Sequence, residues 1–305
     1  MTAISICVCT FRRPSLAETL ASLAALELPA DTEIDIVVID NDDAPSARAV
    51  VDAFVASAPV PVRYLHRPGR NISLARNAAL DAASGALLAF IDDDERATPS
   101  WLTALLSEHA RSGAPVVLGP VEAEYGTGAP GWMQRTAVHA TAPVWTGGEI
   151  RTGYSGNVLI DLRHPALSGL RFDPALGRSG GEDTLYFGAA HARGARIVFA
   201  PEAVVSEYVP EARLSLSWLA RRKFRMGRTH ARILLEVEGR ARARALPLAA
   251  AKTGYCALAA VAALPFEERR TAAALRGLFH AGVVAGLIGS GRPRPSAALA
   301  GALNG

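Results

Sequence analysis

Phe90-Ile91-Asp92-Asp93-Asp94-Glu95 decides how this chain is read. An apolar run from Ala86 to Ile91 breaks abruptly into four consecutive carboxylates. Such a run reads as a buried strand, and its polar end as the edge of a sheet. Open α/β sheets bind ligands beyond the carboxyl ends of their strands. Four acids crowded there repel one another and are best accommodated around a cation, and hard oxygen donors suit Mg²⁺ or Mn²⁺. A solvated acidic loop, or a helix N-terminus that welcomes acids, is the competing reading, and the motif alone leaves both open.

Upstream, two patterns alternate. Apolar runs at Ile4 to Cys9, Ile34 to Ile39 and Val60 to Leu65 read as strands. Pro14 to Leu26, Ser46 to Ala56 and Ile72 to Ala83 carry helical spacing between them. Downstream, Pro99 to Ala110 reads as a helix and Val116 to Val121 as a fifth strand. Strand and helix in alternation imply an α/β fold, a mostly parallel sheet with helices on both faces. Beyond Glu122 the period is lost. Tyr125 to Ile150 is rich in Gly, Pro and Trp, and a long irregular segment in a compact domain is usually functional. Val158 to Ile160 and Ile197 to Phe199 read as further strands, and Leu214 to Val237 as one long basic helix.

Half of the 305 residues are hydrophobic, enough for a substantial core. Met1 to Cys9 runs straight into a strand with no leader pattern, which implies cytoplasmic synthesis and retention. Cys7, Cys9 and Cys256 have neither disulfide nor zinc spacing and read as small buried residues. The net charge of +3 is unevenly spread: Ala212 to Ala245 holds ten Arg/Lys against two Glu, a local +8, so the rest sums to −5. So basic a segment suits ligand phosphates or anionic lipid. No nucleic-acid motif accompanies it, so nucleic acid is not expected as a partner.

The C-terminal third differs in kind. Leu246 to Leu264 is Ala/Leu-rich and bracketed by Pro247 and Pro265, Leu278 to Ile288 is apolar, and the charged Glu267-Glu268-Arg269-Arg270 lies between them. A helical hairpin on or partly in a membrane surface is expected, with a soluble helical cap as the alternative. The Gly/Pro/Arg tail after Gly289 reads as disordered.

Two strand ends bear acids, Asp40 and Asp92 to Glu95, and such an edge suits a metal-bound diphosphate. Asp92 is placed to meet a ribose hydroxyl and Asp94 to ligate the metal. Arg76, in Gly69 to Asn77, offers planar contacts to a base or phosphate, or is an ordinary surface arginine. Gly180-Gly181-Glu182-Asp183-Thr184 is either a glycine turn into an acid-capped helix or a carboxylate held as general base.

Five motifs in this order give the chain its resemblance to the family 2 glycosyltransferases, inverting enzymes of the GT-A (Rossmann-like) fold. CVCTFRRP, VVIDND, ISLARNAAL, FIDDDE and GGEDTLYF carry it, over roughly Ile4 to Arg232. The spellings FIDDDE and GGEDTLYF are most similar to those of bacterial exopolysaccharide glucosyltransferases of the succinoglycan type. The resemblance implies a nucleotide-sugar donor, UDP-hexose, and a saccharide or polyprenyl-diphosphate-linked acceptor. It implies Asp183 as base with Glu182 beside it, and donor contacts at Thr10, Phe11, Arg12, Asp40, Arg76, Asp92 and Asp93. Arg222 and Arg225 stand where a Gln-X-X-Arg-Trp motif is missing and are expected at a phosphate. RTGYSGNVL resembles a Gly-Asn loop facing the acceptor, so Gly156, Asn157 and the nearby Trp145 are expected there. Asp92 and Asp94 are the expected ligands of Mg²⁺ or Mn²⁺. Glu207 replaces a histidine that many GT-A enzymes carry as third ligand.

Residues 1–210 then form the transferase domain and 211–305 a basic helix with an apolar hairpin. The enzyme is expected in the cytoplasm, peripheral on the inner face of the plasma membrane. A small-molecule acceptor is the alternative. A sugar nucleotidyltransferase or a dehydrogenase is disfavoured, because the turn after the first strand lacks their glycines.

Overall fold

Strand and helix alternate from the start of the computed structural model, which describes residues 2–29 and 32–289. The tail after Gly289, expected to be disordered, lies outside the described residues. In chain order come β1 (Thr2–Thr10), α1 (Leu16–Ala24), β2 (Thr32–Asp40), α2 (Arg48–Val55), β3 (Val62–His66), α3 (Ile72–Ala82) and β4 (Leu87–Asp92). The short β5 (Glu95–Ala97), α4 (Trp101–Ser112), β6 (Val116–Leu118) and β7 (Val121–Tyr125) follow. Next are α5 (Gly131–Thr136), β8 (Trp145–Thr146), β9 (Glu149–Ile150), β10 (Asn157–Asp161), α6 (Glu182–Ala192), β11 (Ile197–Phe199) and β12 (Val205–Val209). Three helices close the order: α7 (Leu216–Arg232), α8 (Arg242–Ala262) and α9 (Glu267–Gly289).

The described residues fall into two compact units, 2–124 with 140–208, and 125–139 with 209–289. The expected division at 210 left 125–139 with the first domain, whereas this stretch groups with the second unit.

In the first unit nine strands run in the order β3-β2-β1-β4-β10-β6-β11-β9-β8. β1 is parallel to β2 and to β4, and β2 to β3, while β10 is antiparallel to both β4 and β6. The register sets the edge where ligands are expected: Cys9 pairs with Asp92 and Thr10 with Asp40, so both acidic strand ends flank the end of β1. Ile4, Ile6 and Val8 alternate onto one face. There they join Ile36, Val38, Ala89 and Ile91 in a core closed by Leu16, Leu20, Leu23, Trp101 and Leu105. Cys7 and Cys9 point the other way, buried and free, and burial pushes the Cys9 thiol up to about 12.

The expected fifth strand, Val116 to Val121, is two strands. β6 stays in the large sheet, and β7 belongs to a second sheet ordered β5-β12-β7. The break falls at Gly119-Pro120, and proline has no N–H with which to continue a ladder.

In the second unit α7 begins at Ser215, whose hydroxyl accepts from Trp218 N at 3.2 Å. The expected helix to Val237 ends earlier, at Arg232, and a π-helical turn takes over from Ile233 to Val237. α8 starts at Arg242, so Pro247 lies inside it rather than at its start, and Glu267 to Arg270 form the first turn of α9 rather than a linker. α7 and α9 meet backbone to backbone. A Cβ on Gly227 would lie 1.9 Å from Phe279 O, and one on Gly282 2.1 Å from Phe224 O, so only glycine allows this approach. Trp132 is buried with Met133, Leu219 and Leu275. His230 packs on Phe279 at 5.5 Å, and burial lowers its pKa.

Candidate active site

One guanidinium organises the acids. Arg76 lies mid-way along α3, a helix capped by the Asn71 side chain, which accepts from Leu74 N at 3.3 Å. Its Nη1 donates to Glu182 Oε1 at 2.5 Å and its Nη2 to Asp92 Oδ1 at 3.3 Å. The Phe172 ring lies 5.8 Å from the guanidinium carbon. Arg76 is 8% and Glu182 6% exposed, so that pair is shielded from water, while the Asp92 contact is open on the carboxylate side. Burial works against its charge, but Asp92, Glu182 and Asp183 outweigh burial and raise its pKa. The arginine expected at a base or phosphate therefore joins the end of β4 to the start of α6.

α6 starts where Gly180 and Gly181 both take positive φ, at 84° and 95°, with Gly181 as its N-cap. An L side chain is strained in that region, and the turn delivers two acids to the first helical residues, where the helix dipole favours them. Burial raises the pKa of Glu182 against the pull of Arg76, and Glu182 Oε2 is buried without a hydrogen-bond partner among the described residues. Asp183 is partly exposed, and its Oδ1 accepts from Thr184 N at 2.6 Å. Burial raises Asp183 too, against the same arginine.

The remaining acids of FIDDDE differ in environment. Asp93 is buried, accepts from Phe11 N at 3.3 Å and faces Arg13 Nε at 3.6 Å. Burial pushes its carboxyl up to about 7. Asp94 is 20% exposed and lies 3.4 Å from Arg13 Nη2, while Asp92 is 40% exposed. Glu95 is buried and accepts from Asp92 N at 3.1 Å. Burial holds its pKa well above the carboxylate range, and Asp92 adds to the effect. Gly156 lies against these acids, and a Cβ there would sit 2.6 Å from Glu95 Oε1 and 3.1 Å from Asp92 Oδ2.

Four expectations need correction. Asp40 is fully buried and its oxygens accept from Asp42 N, Ala47 N and Tyr64 Oη at 2.8 to 3.0 Å, so it braces the loop into α2 instead of reaching a donor. Arg12, at φ 53°, turns to Asp42, where Nε donates to Oδ2 at 2.7 Å and holds that carboxyl below its usual range. Asn157 is fully buried: its Oδ1 accepts from Trp101 Nε1, and its Nδ2 donates to Pro120 O and Ala203 O, leaving nothing for an acceptor. Trp145 is 58% exposed but lies on the last strand of the sheet, with β10, β6, β11 and β9 between it and β4.

Thr10 is buried at the end of β1, and Phe11, which follows it, is exposed. Arg222 and Arg225 belong to α7 of the second unit, where Arg222 lies over Trp218 at 5.2 Å. Arg13, between Asp93 and Asp94, was not singled out from the sequence. Only its place beside Arg12 in TFRRP hinted at it.

A metal would find only part of its shell here. Glu207 stands opposite Glu95 in the β5–β12 pair, but no three His, Cys, Asp or Glu side chains converge as a metal site among the described residues. The expected set of Asp92, Asp94 and Glu207 is therefore not formed. Asp92 and Asp94 remain as accessible hard donors. Mg²⁺ is commonly held by one or two carboxylates together with substrate phosphates, and this pair fits that mode.

Comparison with known proteins agrees with the geometry. The family model described as glycosyl transferase family 2 matches residues 5–176. The succinoglycan biosynthesis protein ExoM of Rhizobium meliloti (strain 1021) is 51% identical over 287 residues, 94% of this chain and 93% of that protein. A glucosyl-dolichyl phosphate glucuronosyltransferase of Haloferax volcanii is 26% identical over 250 residues, covering 73% of this chain and 75% of its own length. Among solved structures, mannosyltransferase PcManGT from Pyrobaculum calidifontis, in complex with GDP-Man and Mn²⁺, superposes with a TM-score of 0.60 at 18% identity, over 93% of this chain and 86% of its own. S. aureus TarS 1-349 gives 0.53 at 18% identity, over 96% and 93%.

Proposed function

Because this chain belongs to glycosyl transferase family 2, we propose that it moves a single sugar, with inversion, from a UDP-hexose to a saccharide or polyprenyl-diphosphate-linked acceptor in exopolysaccharide assembly. The observation that carries the mechanism is the Arg76 bridge, which holds the strand-end acids and the Glu182–Asp183 pair around one charge. The 51% identity to a succinoglycan biosynthesis protein supports the polysaccharide setting.

Asp183 is the base. It is partly open to solvent, and burial has raised its proton affinity above that of an ordinary carboxylate. The acceptor hydroxyl oxygen bonds to the anomeric carbon as the bond from that carbon to the diphosphate oxygen breaks. The hydroxyl proton passes to Asp183, and the nucleoside diphosphate leaves. Thr184 N fixes the carboxylate through Oδ1, and Glu182, tied to Arg76, fixes the start of α6. Asp92 and Asp94 would hold Mg²⁺ or Mn²⁺, which supplies positive charge for the leaving diphosphate. The Mn²⁺ in the PcManGT complex supports that choice of ion. The enzyme works at the cytoplasmic face of the plasma membrane, in peripheral contact with it.

Asp183→Asn should lower transfer by about 10³-fold while UDP-sugar binding stays near normal. Near-normal turnover in that variant would remove Asp183 from the base role. Asp94→Ala should make UDP affinity insensitive to Mn²⁺ and EDTA, and retained metal dependence would move the ion elsewhere.

A further inference from the structure

α8 has two unlike sides. Ala245, Ala249 and Cys256, spaced four and seven residues apart, share its buried side. Leu248, Tyr255 and Leu258, spaced seven and three apart, share the opposite side, where Tyr255 is 71% and Leu258 73% exposed. Val261 continues this surface, and Leu264 and Phe266 carry it around the turn into α9. Single exposed apolar residues need no explanation, but a continuous patch marks a contact. A shallow groove of about 520 Å³ runs over Tyr255, Leu258, Ala262 and Phe266, with Arg269 at its lip.

Charge decides what fits. α8 contains Arg242, Arg244 and Lys252 and no acid. The turn adds Arg269 and Arg270, and of its two glutamates Glu268 is bound to Arg135 at 2.7 Å. An apolar stripe flanked by long basic side chains is the pattern of a helix lying in a lipid interface, its charges reaching the headgroups. By length and composition α8 and α9 would each also pass for a membrane span. Spanning would place Lys252, mid-way along α8, in hydrocarbon, which a charged side chain resists, whereas lying flat leaves it at the surface.

We propose that the outer side of α8 and the α8–α9 turn dock flat on an anionic lipid bilayer. The inference deepens, and rests on, the peripheral contact in the function above. Vesicle binding needs no sugar transfer, so its failure would leave the transferase reading standing.

The full chain is sedimented with phosphatidylcholine vesicles, with and without phosphatidylglycerol. Binding is expected only with the anionic lipid, weakening as salt rises. Leu258→Glu should weaken it about tenfold or more, since a buried Leu contributes more than one decade of partitioning. Lys252→Glu combined with Arg269→Glu should weaken it by a similar factor. Both variants alter exposed side chains, so circular dichroism and UDP release on a water-soluble acceptor should be unchanged. No binding, equal binding to both lipids, or binding indifferent to Leu258→Glu would overturn the proposal. So would a stable dimer that Leu258→Glu dissociates, which would assign the face to a second copy.

Discussion

Replacing Arg76 with methionine tests the centre of the site. The change removes one guanidinium and keeps a flexible apolar chain in its place. Arg76 and Glu182 are 8% and 6% exposed, so the variant breaks a buried ion pair from one side, at a cost of about 3–5 kcal/mol. The carboxylates have one escape, which is to bind protons. Burial already raises Glu182 and Asp183 above ordinary carboxylates, and losing the cation raises both further. An acid whose folded pKa lies above its unfolded value of about 4 binds more protons folded than unfolded between the two. Stability is then lost as pH rises through that window. The penalty should therefore be small near about pH 4 and approach its full size above the folded pKa values. At roughly 2–4 °C per kcal/mol, the full penalty lowers Tm by about 6–20 °C. Thermal unfolding followed by circular dichroism from about pH 5 to about pH 8 reads this directly, with Arg76→Lys as a partial rescue. A loss under about 1 kcal/mol, or one that does not grow with pH, would refute the buried bridge.

Asn157→Ala strands the Trp101 indole N–H and two backbone carbonyls, so it should cost about 3 kcal/mol or more in urea unfolding. A neutral result would return Asn157 to the list of possible acceptor contacts. Asp93, pushed up to about 7, holds a proton when folded that it releases near about pH 4 when unfolded, so it makes stability fall as pH rises between the two. Asp93→Asn should reduce the slope by up to about 1.4 kcal/mol per pH unit in chelator-treated protein, leaving the share of Glu95, Glu182 and Asp183, and an unchanged slope would exclude Asp93 as a source. Gly156→Ala forces a methyl against Glu95 and Asp92 and should weaken Mn²⁺-dependent UDP binding about tenfold in calorimetry, at a stability cost of about 1–3 kcal/mol. Unaltered UDP affinity would separate Gly156 from the donor site.

The strands were legible wherever β-branched runs ended in polar residues, as at Ile4 to Cys9 and Ala86 to Ile91. Val116 to Val121 misled because its residues suit a strand throughout, while Gly119-Pro120 switches the chain between sheets. The acidic edge was legible because its carboxylates are consecutive. Their partners were not, since Arg76 meets Glu182 across 106 positions of sequence. Arg12 and Arg13 are indistinguishable neighbours in the sequence, and the positive φ at Arg12 sends one guanidinium to Asp42 while the other faces Asp93 and Asp94. Asp40 and Asn157 look available in their motifs. Each is taken up by donors or carbonyls from neighbouring loops, which no local pattern announces.

Gly227 and Gly282 bring α7 and α9 into direct main-chain contact. Close atomic contact at that range adds to the burial of Leu219, Ala231, Leu275, Val283 and Leu287 along the same two helices. The main-chain part of that contact does not depend on water and persists beside hydrocarbon. Docking of α8 on lipid, as proposed above, would leave this α7–α9 joint as it is in water.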